Sequence, residues 1–113
     1  MHELSLAQNI LEVALRNARD QGFEKIHSLH LKIGRLSGVE PESLCFCFSV
    51  LSAHTIAESA RVEVEKVPVR GRCRGCSTEF ELQEMEFLCP SCRGNEIDLI
   101  AGTEMQLERM EVE

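Results

Sequence analysis

The chain has 113 residues, 43% of them hydrophobic, and a formal net charge of −7. That composition supports one compact domain, or a small domain with a metal-stapled module, and excludes a disordered chain. The acidic excess repels phosphate backbones and favours cationic partners, metal ions among them. No apolar run reaches bilayer length and no basic stretch precedes an apolar one, so neither a membrane span nor a secretory signal is expected, and the chain reads as cytoplasmic.

Residues 4 to 21 carry a helical period. Leu4, Ala7, Leu11, Ala14 and Ala18 recur at spacings of three and four, with Glu12, Arg16, Arg19 and Asp20 outside that stripe. Ser5 and Gln8 read as a capping box, with Glu3 as the alternative cap, and Gly22 reads as the stop. Residues 25 to 33 change to a period of two. His27, Leu29, Leu31 and Ile33 share one face, while Ile26, Ser28, His30 and Lys32 share the other, as in a half-buried strand. His27 is therefore expected as a core or rim group. His30 and His54 have no ligand partner at metal spacing and receive no role.

The segment "GRLSGVEP" has turn chemistry, and Pro41 suits the first position of a helix. That second helix is expected over 41 to 53, with Leu44, Cys47, Phe48 and Leu51 on one face. Cys45 and Cys47 stand about 200° apart around its axis, so they cannot share an ion and read as small apolar groups. A strand follows over 61 to 67, where Val62 and Val64 alternate with Glu63 and Glu65 before Pro68 ends it. The last strand, 104 to 112, aligns Met105 with Leu107 and then, after a one-residue slip that suits a bulge, Met110 with Val112. The expected fold class is α+β: two helices packed on a small three-stranded mixed sheet, with an inserted zinc-ribbon module. Residues 1–69 and 103–113 form the first domain in this reading, and 70–102 the insert.

Within the insert, Cys73 and Cys76 are separated by twelve residues from Cys89 and Cys92. Each Cys-x-x-Cys turn brings two thiolates to one ion, and two such corners complete a sulfur tetrahedron at roughly 2.3 Å that suits Zn(II). Gly75 and Gly94 are expected to supply the turning freedom. A redox role is disfavoured because no strand–helix frame follows either motif. Four thiolates leave the site at −2, and Arg72, Arg74 and Arg93 stand beside the ligands to offset that charge. A tetrathiolate zinc has no open position, so it activates no water and serves as scaffold. Residues 77 to 88 hold only a few apolar side chains, chiefly Phe80, Leu82, Phe87 and Leu88, so the module's folding is expected to depend on the metal.

At the other end, "MHE" places a terminal amine, two main-chain amides and the His2 imidazole within reach of fused chelation. Nitrogen donors of this kind suit Ni(II) or Cu(II). A large second residue hinders removal of Met1, and Glu3 adds a carboxylate. With no second ligand motif, the residues alone leave His2 open between a metal ligand and an ordinary surface histidine.

Four features decide between them: "MHELSLAQNI", "IGRLSGVEPESLCFCF", the spaced "CRGC" and "CPSC", and an acidic C-terminal strand. Together they resemble HypA, the nickel metallochaperone family of [NiFe]-hydrogenase maturation, across the whole chain. The resemblance implies a nickel-binding α/β domain with a zinc ribbon inserted before the last strand. It implies nickel on His2, with backbone and side-chain participation around Glu3, and zinc on Cys73, Cys76, Cys89 and Cys92. Glu40 matches an acidic residue that approaches the nickel site in some relatives, where the family often carries aspartate. Implied partners are a HypB-type GTPase, the [NiFe]-hydrogenase large subunit and, for some members, urease maturation proteins; the balance of monomer and homodimer is left open.

Two rival functions fare worse. For a zinc-ribbon nucleic-acid binder or adaptor, residues 70 to 102 hold four arginines against six acids and two aromatics, so basic stripes and stacking platforms are missing. For an enzyme, there is no nucleophile motif, glycine-rich phosphate loop or open metal site.

Overall fold

The computed structural model describes residues 2–82 and 87–113. Their elements run α1 (Glu3–Asp20), β1 (Ile26–Gly34), α2 (Pro41–Leu51), β2 (Arg61–Val67), β3 (Arg70–Cys73), β4 (Glu79–Glu81), β5 (Ile97–Ala101) and β6 (Met105–Val112). The strands form two three-stranded sheets, ordered β2-β1-β6 and β4-β3-β5. The fold is α+β, with two helices and a mixed first sheet.

The directions in that sheet follow from its terminal hydrogen bonds. The Arg35 N–H donates to the Val67 carbonyl, so β1 and β2 finish side by side and run parallel. A parallel pair needs a crossover, which α2 provides between them. On the other edge, Gly34 N–H reaches the Glu104 carbonyl, while Lys25 and Glu113 exchange N–H and C=O at the opposite end. Strand β6 is therefore antiparallel to β1.

Helix α1 buries Glu3, Ala7, Ile10, Leu11, Ala14 and Ala18. Leu4, expected in the stripe, is instead 53% exposed, and Glu3 occupies the buried end of the face. The Ser5–Gln8 box is not the start either: His2 is the N-cap, without a side-chain cap. The stop is where the sequence put it. Gly22 takes φ +79 and its N–H bonds the Arg19 carbonyl, while Phe23 N–H bonds that of Ala18, the paired pattern of a Schellman motif.

Helix α2 has Pro41 at its first turn and buries Leu44 and Phe48, packing against α1. It ends at Leu51, two residues short of the expected 53, and a turn stabilised by Thr55 on the Ser52 carbonyl takes the chain on to β2. In β1, Ile26 is fully buried, and so are Leu29, Leu31 and Ile33 on the alternate face. His27 shares their face only nominally. It is exposed at the rim, where Nε2 meets Glu113 at 2.6 Å. On the opposite face His30 lies between Glu63 of β2 (2.8 Å) and Glu111 of β6 (3.5 Å), carboxylates that sequence spacing gave no hint of.

The chain divides into two compact units, residues 1–32, 38–65 and 106–113 in one, and 33–37 with 66–105 in the other. In the second unit, β3 pairs antiparallel with both β4 and β5. These strands are three to five residues long and carry no alternating pattern, so the sequence did not announce them. Leu82 and Val69 are buried there, but Phe87 and Leu88, two of the segment's few apolar side chains, are exposed.

Candidate metal centres

Cys73, Cys76, Cys89 and Cys92 converge, their sulfurs all within 4.8 Å of one another. They are the one such cluster of potential ligands among the described residues. Cys73–Cys92 and Cys76–Cys89 are each 3.5 Å apart. A ZnS₄ tetrahedron with bonds of roughly 2.3 Å has edges of about 3.8 Å, so little movement separates these sulfurs from zinc ligation. Cys73 and Cys89 are buried while Cys76 and Cys92 are exposed, which places the cluster at the edge of its unit.

The two knuckles share a design. In the first, Ser77 N–H bonds the Cys73 carbonyl and Cys73 N–H bonds that of Thr78; in the second, Arg93 bonds Cys89 and Cys89 bonds Gly94 in the same way. The left-handed residue in each is the one after the second cysteine, Ser77 (φ 64) or Arg93 (φ 63). The turning freedom assigned to Gly75 and Gly94 is thus misplaced. Those glycines do other work: Gly75 N–H donates to Cys73 Sγ at 3.3 Å and Gly94 N–H to Cys92 Sγ at 3.4 Å. A Cβ on Gly94 would also crowd Cys92 Sγ at 3.3 Å.

Electrostatics points the same way as geometry. The Thr78 hydroxyl, with help from its backbone, lowers Cys76 to about 6. The Gly94 amide favours the Cys92 thiolate, but the sulfurs of Cys73 and Cys76 outweigh it and push Cys92 up to about 12. Four sulfurs this close cannot all ionise on their own, and a divalent cation removes the conflict. Two of the three arginines expected to offset the cluster's charge have acidic partners of their own. Arg72 pairs with Glu79 at 2.7 Å and Arg74 with Asp98 at 2.9 Å, and each hydrogen bond holds its carboxyl below the usual range.

The N-terminal residues form a different kind of site. His2 is exposed, yet its carbonyl accepts the Leu6 N–H at 2.9 Å and so belongs to the helix frame. Glu3 is buried, and its Oε2 accepts the main-chain N–H of Glu40, the N-cap of α2, at 2.9 Å. That bond, followed by one from its own amide, holds Glu3 below its ordinary range. Glu40, Glu3 and His2 are thereby gathered at the starts of the two helices. Met1, whose amine the sequence reading also offered to nickel, lies outside the described residues.

Cys45 and Cys47 are half-buried and take no part in the cluster; burial pushes the Cys45 thiol up, as for an inert packing group.

A family model described as "Hydrogenase/urease nickel incorporation, metallochaperone, hypA" matches residues 1–112. The chain belongs to the HypA family. Among curated relatives, the hydrogenase maturation factor HypA of Rhodopseudomonas palustris is 40% identical over 113 residues, covering all of both chains. That of Geobacter sulfurreducens is 39% identical over the same full span. The solution structure of the Ni metallochaperone HypA from Helicobacter pylori superposes with a TM-score of 0.72 at 21% identity, over 99% of this chain and 97% of that one. A second HypA solution structure gives 0.78, also at 21% identity, over 99% and 96%. At that identity the likeness speaks for the fold, and HypA membership rests on the sequence matches. Among the described residues, no helix is long and apolar enough to cross a membrane.

Proposed function

We propose that the chain is a nickel metallochaperone of hydrogenase maturation, carrying Ni(II) at its N-terminus and Zn(II) in its four-cysteine site. The observation that carries this reading is membership, over essentially the full length, of a family described by nickel incorporation. The core nickel donors are the His2 imidazole and neighbouring main-chain nitrogens, with Glu3 part of the same site. Zinc bound by Cys73, Cys76, Cys89 and Cys92 is closed to substrate and water, and supplies structure only. Nickel is cargo, so the chain acts as a carrier and not as an enzyme.

A carrier needs a source and a destination. In this reading the partners are a HypB-type GTPase and the [NiFe]-hydrogenase large subunit, with urease maturation proteins as a further client, all met in the cytoplasm. Cu(II) binds more tightly than Ni(II) to nitrogen donors, so selectivity comes from metal availability and from the receiving partner.

The test is calorimetry with nickel on the zinc-loaded chain and on His2→Ala. The substitution is expected to abolish nickel binding while zinc content and the far-UV circular dichroism spectrum stay unchanged, since an exposed cap residue carries little of the core. Unchanged nickel affinity in His2→Ala would place the cargo elsewhere and defeat the proposal.

A further inference from the structure

Helix α1 buries an acid where its own pattern asks for an apolar side chain. Glu3 heads the stripe that continues through Ala7, Ile10, Leu11, Ala14 and Ala18, and it is 7% exposed. An ionised carboxylate tolerates burial only when its oxygens are hydrogen-bonded. Here Oε2 takes the Glu40 N–H across 37 residues of sequence. Glu3 is the first residue of α1 and Glu40 the N-cap of α2, so one carboxylate stands at the N-terminal ends of two helices. Both ends carry partial positive charge and both favour an anion there.

We infer that Glu3 is a positioning residue and not a nickel donor: its carboxylate latches the first turn of α1 to the start of α2, and so fixes His2 for the metal. The inference rests on the nickel reading of His2 above. Swinging the carboxylate out to an ion would leave the Glu40 amide unpaired and open the buried face of α1, a cost that a purely nitrogen-liganded site avoids. With the latch closed, His2 lies on a backbone already held by the Leu6 N–H on its carbonyl. A preset backbone lowers the ordering entropy that chelation by a loose terminus incurs. Groups that orient metal ligands typically matter by about ten- to hundredfold in affinity.

Two substitutions separate orienting from donating. Glu3→Gln keeps an oxygen for the Glu40 amide but removes the anionic donor, whereas Glu3→Ala removes both. Nickel titration of the zinc-loaded chain is read together with hydrogen exchange of the Glu40 amide and the Ni(II) absorption bands. The expected result is that Glu3→Gln keeps nickel affinity within about threefold, with unchanged bands and a protected Glu40 amide, while Glu3→Ala loses that protection and about tenfold or more in affinity. A Gln variant that loses nickel as Ala does, while Glu40 stays protected, makes the carboxylate a donor and overturns the inference. An Ala variant with unchanged nickel affinity or an unchanged Glu40 amide overturns it too. His2→Ala is the control for the underlying reading: nickel binding that survives it defeats the N-terminal site, while Glu40 protection still reports separately on the latch.

Discussion

Glycines in this chain serve two separable purposes. Gly22 has a left-handed φ of +79 with nothing within 4 Å of an added Cβ, so its role is conformational. Gly34 is the reverse: a Cβ there would fall 2.1 Å from the Gly102 carbonyl carbon, where two backbones cross. Gly22→Ala is therefore expected to cost about 1 kcal/mol, the penalty for an L-residue in that conformation. Gly34→Ala has to push main chain aside and is expected to cost about 3 kcal/mol or more. Urea midpoints at constant m-value measure both, and equal costs would show that the crossing relaxes easily. Gly22 was legible because a glycine after a periodic run is a local signal. The crossing was not, because Gly34 looks like any turn glycine until its partner is known.

At the level of elements, the outer face of the first sheet is tied by polar contacts from three strands. Ser28 Oγ donates to Glu111 Oε1 at 2.5 Å and lies 3.1 Å from His30 Nε2; Arg61 approaches Glu111 and Glu63, and Lys32 approaches Glu108. The Ser28 hydroxyl first, then His30, holds Glu111 below the usual carboxylate range. A carboxyl whose folded pKa is depressed stabilises the fold above its unfolded value, and that contribution disappears as pH falls through the folded value. Ser28→Ala should raise the Glu111 pKa, read by NMR titration. It should also be less stable than the parent at neutral pH, with the gap closing in acid. A gap that persists unchanged at low pH would assign the loss to packing of the buried Ser28 instead. The strands of this sheet were legible from alternation in β1 and β2, and the slip in β6 appears as half-buried Leu107, Met110 and Val112 among exposed neighbours. What joins them was not legible. His30 finds its carboxylates 33 and 81 residues away in chain order, which no spacing rule covers. The same limit hid the buried role of Glu3, whose acceptor contact depends on where α2 begins, and it let Leu4 pass as core. The cysteine cluster lost nothing to distance, because its two halves each announce themselves by a local spacing.

For the molecule as a whole, the second unit is where stability and metal are expected to coincide. Its core is thin: among the described residues Ile33, Val69, Leu82, Cys73 and Cys89 are its buried hydrophobic side chains, whereas Phe87, Leu88, Leu99 and Ile100 lie open. Two of the arginines beside the knuckles, Arg72 and Arg74, are already paired to Glu79 and Asp98, and acids outnumber arginines in the segment 70–102, so this unit offers phosphates little excess positive charge. Fluorescence anisotropy with duplex and single-stranded DNA should accordingly detect no tight, salt-sensitive binding, and a steep salt slope would revive a nucleic-acid role. Zinc is expected to supply what the apolar core lacks, since structural Zn(II) sites contribute on the order of 10 kcal/mol to folding. Cys76 and Cys92 are the exposed pair of ligands, so replacing either with serine removes a thiolate with little loss of packing. Cys76→Ser and Cys92→Ser should each lose stoichiometric zinc and hydrogen-exchange protection in β3, β4 and β5. Helices α1 and α2, whose core is Ala7, Leu11, Ala14, Leu44 and Phe48, should keep theirs. Acidification should release zinc from the parent chain, because protons compete for the thiolates, and protection in β3 to β5 should fall with it. Full zinc retention in both variants would remove the four-cysteine assignment; loss of zinc with undiminished protection in β3 to β5 would show that the short strands hold the unit without it.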